Sequence, residues 1–144
     1  RFYLLIGNKD AWETSLLYQI WGFSEGTRGL WKSSKVGDYL AFYVTTPIKK
    51  IIGFGRIREK YIESSITWPE EKLLKASVWK YRIKFKILFI LKNDWHDGID
   101  PPKNMMFNSG RKVVTKDVFD MLLKRADSQW GTNLHNAIAK SPPH

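Results

Sequence analysis

Lys80, Arg82, Lys84 and Lys86 alternate with Trp79, Tyr81, Ile83 and Phe85 in the segment W-K-Y-R-I-K-F-K. Read as an extended chain, every second residue recurs at about 6.6 Å on one face, so the four cations form a stripe opposite an apolar face. A stripe of like charge is relieved by a polyanion or by bulk water, so it fits a phosphate-tracking surface and equally an outer strand in solvent. Seven tryptophans (Trp12, Trp21, Trp31, Trp68, Trp79, Trp95 and Trp130) add large apolar rings, each with an N–H that needs an acceptor. Basic charge with surplus aromatics is the chemistry of stacked bases beside neutralised phosphates.

Other constellations are weaker. Asp94, Asp97 and Asp100 surround His96 in D-W-H-D-G-I-D. They could offer oxygen and imidazole ligands to a metal, but an Asp/Gly turn explains them more economically. Gly53-Phe54-Gly55 lacks the third glycine and the helix start of a dinucleotide fingerprint. His96, His135 and His144 are the only histidines and there is no cysteine, so no nucleophile–base set can be assembled. The residues argue for binding rather than turnover, with no catalytic residue, cofactor or metal expected.

The chain has 144 residues, 24 Lys and Arg against 14 Asp and Glu, and a formal net charge of +10. That length supports one domain with a real core, and that charge makes nucleic acid the first partner to consider. Without cysteine there are no disulfides, no thiolate catalysis and no Cys-ligated zinc or iron–sulfur site, a composition that fits the cytoplasm. No apolar run approaches the roughly 20 residues of a spanning helix, and no signal peptide is visible, although a start at Arg1 suggests trimming or a beginning outside this sequence.

The elements that must position these residues can be read in order. Phe2 to Ile6 is an apolar strand ended by Gly7-Asn8. Asp10 with Glu13 resembles a capping box opening a helix that carries Trp12, Leu16 and Ile20 inward. Ser24 to Ser34 reads as a loop, Tyr39 to Val44 as a strand, and Ile51 to Ile62 as a long strand kinked at Gly53 and Gly55. Trp68-Pro69 opens a polar segment with one short helix, and the alternating strand follows. Asn93 to Asn104 is a loop, and Met105 to Val114 includes another short strand. Thr115 caps a helix from about Lys116 to Arg125 with Val118, Met121 and Leu122 inward. From Ala126 onward the pattern weakens, and Ser141-Pro142-Pro143 reads as a linker. The expected organisation is a domain over 1–126 and a tail over 127–144 leading toward a further domain.

Several segments in order resemble the EVE family: F-Y-L-L-I-G-N-K-D-A-W, I-W-G-F, K-V-G-D-Y-L-A-F-Y-V and I-I-G-F-G-R-I, then K-Y-R-I-K-F and N-S-G-R-K. The resemblance spans roughly Phe2 to Leu123. It departs from the family over Ser64 to Ala76 and at Phe107-Asn108-Ser109. It implies an α+β fold, a small mixed PUA-like β-barrel with peripheral helices, related to YTH and ASCH domains. It also implies recognition of a modified, flipped or single-stranded base in an aromatic pocket beside the first helix.

Carried over by position, Trp21 with Gly22 and Trp31 would wall that pocket, and Asn8, Asn108 and Ser109 would supply its polar groups. Asn8 could equally be a helix cap. Trp12 and Trp79 are assigned to the core by periodicity. Phosphates would meet Arg28, Lys32, Lys80, Arg82, Lys84, Lys86, Arg111 and Lys112. Such modules occur fused to the AAA+ GTPase motor of McrBC-type modification-dependent restriction systems, which makes DNA the favoured partner. The alternative is a stand-alone PUA-like RNA-binding protein.

Overall fold

The computed structural model describes residues 1–103, 105 and 111–140, with the Arg111 side chain excluded. Asn108 and Ser109 therefore lie outside the described residues. The chain order is β1 (Phe2–Gly7), α1 (Lys9–Tyr18), β2 (Ile20–Phe23), α2 (Gly29–Ser33), β3 (Tyr39–Val44), β4 (Lys50–Ile62), α3 (Pro69–Leu74), β5 (Tyr81–Ile90), β6 (Arg111–Val114), α4 (Lys116–Trp130) and α5 (Leu134–Ala139).

The strands form one six-stranded sheet in the order β2-β5-β4-β3-β1-β6. β1 and β3 run parallel, and the other neighbours are antiparallel. The expected barrel is thus a half-barrel: β2 and β6 are edges rather than a closing pair. The ladders of β4 are irregular: its register with β5 shifts between Phe54 and Gly55 and again between Ile57 and Glu59, and the β3–β4 register shifts between Phe42 and Tyr43. Bulges of this kind bend a strand and increase its twist.

The central strands show no alternation in sequence because both of their faces are covered. Tyr3, Leu5, Leu40 and Phe42 join Trp12, Trp21, Phe23, Ile83 and Phe85 in one buried cluster, closed by α1 and α2. Leu4, Ile6, Ala41, Tyr43 and Phe54 face the other way, onto Phe119, Leu122, Leu123 and Ala126 of α4 and Leu134 of α5. The α4 stripe is therefore rotated from the predicted one, and Met121 is exposed.

α4 also runs five residues beyond Arg125, to Trp130, whose ring stacks on Phe89 at 5.0 Å. The domain consequently includes α5, and a boundary after residue 126 falls inside a packed helix. Among the described residues no helix is long and apolar enough to cross a membrane.

Local chemistry sets the start of α1. Asn8, not Asp10, is its N-cap, and the Asn8 Oδ1 accepts from the Ala11 N–H at 2.8 Å. β5 begins at Tyr81, so Trp79 lies before the strand. Ile83 and Phe85 are buried while Lys84 and Lys86 are exposed, as the alternation predicts, but Arg82 is only 1 % exposed. The segment before α3 covers it, which a period of two within β5 does not reveal.

Candidate nucleic-acid interface

Where β1 turns into α1, a cavity of about 280 Å³ opens between that turn, β2, and the segments carrying Trp68 and Trp79. Its lining includes Gly7, Asn8, Trp21, Gly22, Ser24, Thr27, Trp68, Glu70 and Trp79. Trp21 is held from behind by Trp12, with ring centroids 4.3 Å apart. Trp12 is in turn fixed by its Nε1–H, which donates to the Tyr43 carbonyl at 2.7 Å. The far end of the Trp21 ring lies on Gly7, where a Cβ would approach to 2.4 Å.

Trp68 and Trp79 meet edge to face, with centroids 5.8 Å apart and an interplanar angle of 77°. Gly22 permits that closure: a Cβ there would lie 2.5 Å from the Trp79 Cβ and 2.8 Å from the Trp68 ring. Trp68 is tied to α1 by its Nε1–H, which donates to the buried Ser15 Oγ at 2.9 Å. Three indoles thus stand around one opening, each on a different segment of the chain, and aromatic walls favour a planar, polarisable ring.

The polar groups are few. Asn8 spends its Oδ1 on the helix cap, and its amide NH2 has no partner among the described residues, nor do the indole N–H groups of Trp21 and Trp79. Ser24 and Thr27 bond to each other at 2.9 Å. Glu70 is the one charged residue of the lining. Cations follow the lining residues in sequence instead: Lys9 after Asn8, Arg28 after Thr27 and Lys80 after Trp79, with Lys9 and Lys80 exposed. The arrangement offers a largely aromatic slot, with Glu70 as its one charged lining residue and basic residues next in sequence to the lining, a division of labour that suits base stacking and phosphate neutralisation.

Behind the slot lies a buried ion pair. Glu71 is fully buried, and its carboxylate accepts from the backbone N–H groups of Thr67, Trp68, Val78 and Trp79. Burial pushes its pKa up, but these four donors outweigh burial and hold the carboxyl below its ordinary value. Arg82 lies 3.8 Å from Glu71 Oε1 and donates to the Trp79 carbonyl, Glu63, Thr67 and Ser65.

The structure brings together Asn8, Trp21 and Gly22 of the sequence-derived set. Trp31 is not a wall: it lies on α2, its Nε1–H donates to the Arg82 carbonyl at 2.9 Å, and its ring packs against Tyr81. Arg82 is no phosphate contact, because its guanidinium is buried and its donors are spent internally. Lys84 and Lys86 project from the face of β5 opposite the cluster that holds Trp21, and Lys84 pairs with Glu59 at 3.8 Å. Arg28 pairs with Glu25, Lys32 is exposed, and Lys112 is half-buried on the edge strand β6.

Trp79, assigned by periodicity to the core, is half-buried and lines the cavity. The residues expected from the sequence to form the site do not include Trp68 or Glu71. The available signal was a tryptophan placed just before Pro69 in a polar segment, where no apolar periodicity demands one. In the D-W-H-D turn, Asp94 accepts from the His96 N–H at 2.9 Å, and Asp100 pairs with Lys50. Among the described residues no group of three or more acidic or histidine side chains is placed to hold a metal ion.

No family model matches the sequence, and no curated protein matches it. Solved structures do. The YTH domain of Toxoplasma CPSF4, in complex with a 7-mer m6A-modified RNA, is similar with a TM-score of 0.57 at 15% identity, over 100% of this chain and 93% of that one. Rpa0253 from Rhodopseudomonas palustris gives 0.55 at 15% identity, over 86% and 91% of the two chains. An ASCH protein from Zymomonas mobilis gives 0.55 at 7% identity, over 85% and 96%. The likeness is one of fold: a mixed-sheet half-barrel with several helices, of the PUA-like kind that YTH and ASCH domains share.

Proposed function

We propose that this domain is a non-catalytic nucleic-acid reader that takes a single modified or extruded base into the Trp21–Trp68–Trp79 slot. The observation that carries this reading is the slot itself: three indoles around a cavity of about 280 Å³, with Lys9, Arg28 and Lys80 next in sequence to its lining. An extruded base would place its ring between the walls and leave its phosphates near those cations. A methyl group on the base adds about 0.8 kcal/mol per buried carbon, so stronger selectivity must come from groups such as the free amide of Asn8 or the indole N–H of Trp79.

The nucleic-acid class has two readings. The ordered EVE-like segments support a DNA-recognition role in a McrBC-like modification-dependent restriction system. The likeness in fold to a YTH domain solved with methylated RNA supports an RNA reader. A binding screen of modified and unmodified single- and double-stranded DNA and RNA, at fixed salt, tests both. The expected result is tighter binding of at least one modified strand, with tryptophan fluorescence quenched on binding. Equal affinity for modified and plain strands would remove modified-base recognition and leave a general PUA-like RNA-binding role ahead.

A further inference from the structure

We propose that Glu71, backed by Arg82, is the positioning residue that sets the distance between two walls of the slot. The proposal deepens the base-reading function and rests on it for its binding arm. The segments carrying Trp68 and Trp79 belong to no strand, so much of their backbone hydrogen bonding cannot be met by a sheet ladder. One side chain meets it instead. Glu71 Oε1 accepts from the N–H groups of Thr67 and Trp68 at 2.9 and 3.3 Å. Its Oε2 accepts from those of Val78 and Trp79 at 2.7 and 3.0 Å. Each oxygen holds one wall, and the carboxyl carbon between them fixes the gap.

Arg82 completes the clamp. Its Nε–H donates to the Trp79 carbonyl at 2.9 Å, and its guanidinium carbon lies 5.0 Å from the centre of the Trp68 ring. Both charges are buried, at 0% and 1% exposure. A buried ion pair gives little net stability compared with apolar residues of the same volume. What this one supplies is a geometry that apolar residues cannot impose, since it holds two strandless segments by directed bonds.

A helix cap is the competing explanation, because Glu71 is the third residue of α3 and bonds the Trp68 N–H as a capping box does. Glu71→Gln separates the two roles. Glutamine serves a capping box as well as glutamate does, but its amide has one acceptor. With that oxygen on the Thr67 and Trp68 N–H groups, its NH2 faces the Val78 and Trp79 N–H groups, donor against donor.

The test has two arms on the purified chain. In the first, without ligand, backbone amide exchange is measured by NMR. In the parent, the Val78 and Trp79 amides should exchange about tenfold or more slowly than the unbonded Ser64 amide. In Glu71→Gln that protection should vanish while Phe42 and Ile83 stay protected. In the second arm, affinity for the best strand of the binding screen should fall about tenfold or more in Glu71→Gln.

A parent whose Val78 and Trp79 amides exchange as freely as Ser64 overturns the proposal, whether or not the variant folds. So does a folded Glu71→Gln variant with parental exchange and affinity, which leaves a cap alone. If no strand binds the parent, base reading fails while the exchange arm still decides the clamp.

Discussion

Trp79 and Trp21 share one slot but differ in what stands behind them. Trp79 is half-buried, with its indole N–H free of partners among the described residues, whereas Trp21 is only 6% exposed and packs on Trp12 within the core. Trp79→Ala should therefore weaken binding of the preferred base by roughly 1–3 kcal/mol, the usual cost of a lost stacking partner, with thermal stability close to that of the parent. Trp21→Ala should lose binding and also about 3–5 kcal/mol of stability, as a core aromatic deletion. Thermal melts and titrations on both variants check this, and equal melting losses would place Trp79 in the core after all. Gly22→Ala should hold Trp68 and Trp79 apart, because its Cβ would lie 2.5 Å from the Trp79 Cβ. The expected result is weaker base binding than the parent at similar helix content. At this scale the family resemblance implied a pocket with Asn8, Trp21 and Gly22, and these three do line one cavity. The sequence could not disclose Trp68 or Glu71, whose roles exist only once the polar segment before α3 folds across Arg82.

Elements were more legible than sites, because β1, β3 and β4 announce themselves by apolar and β-branched runs bounded by turn residues. α4 was read too short for a physical reason. Beyond Arg125 its sequence, A-D-S-Q-W, offers one small apolar residue before Trp130, so the helical stripe fades while the helix continues. On that extension Asp127 holds the start of α5: its Oδ1 accepts from the Leu134 N–H at 2.7 Å and its Oδ2 accepts from the His135 N–H at 3.0 Å. Burial pushes the Asp127 pKa up, but bonds from Thr132, His135 and Leu134 prevail and hold it below its ordinary value.

With its folded pKa depressed, Asp127 stabilises the fold above the unfolded aspartate pKa of about 3.9. That contribution is lost as pH falls through the lower, folded value. Asp127→Asn should lose protection of the Leu134 amide at neutral pH and cost roughly 0.5–2 kcal/mol, the range of a lost helix cap. Its denaturation midpoint should also fall less steeply than that of the parent below about pH 4. An unaltered acid limb would mean that Asp127 does not hold α5.

For the molecule as a whole, a formal net charge of +10 with a slot walled by aromatic rings predicts affinity that depends strongly on salt and selectivity that does not. Arg82 is removed from the phosphate set by burial, and Lys84 is partly neutralised by Glu59. If Lys9, Lys80 and Arg28, the last exchanging Glu25 for a phosphate, neutralise about three phosphates, log K should fall against log salt with a slope of roughly −2 to −3. The ratio of affinities for modified and plain strands should stay constant across that titration. A ratio that collapses with salt would move recognition from the slot to the charged surface. Lys9→Gln and Lys80→Gln should each lower the slope by about 1.

The position of β1 has a kinetic consequence. Within this sheet it is synthesised before any other strand, yet it pairs with β3 on one side and, through Phe2 and Val114, with β6 on the other. Until residues 111–114 have been synthesised, a central strand of the sheet presents an open backbone edge, the kind of template that recruits other chains. Non-local pairing of this sort is slow. Chains stalled before β6 should therefore associate with one another far more readily than chains stalled after it, so the final ladder to form acts as a guard against misassembly of the nascent chain.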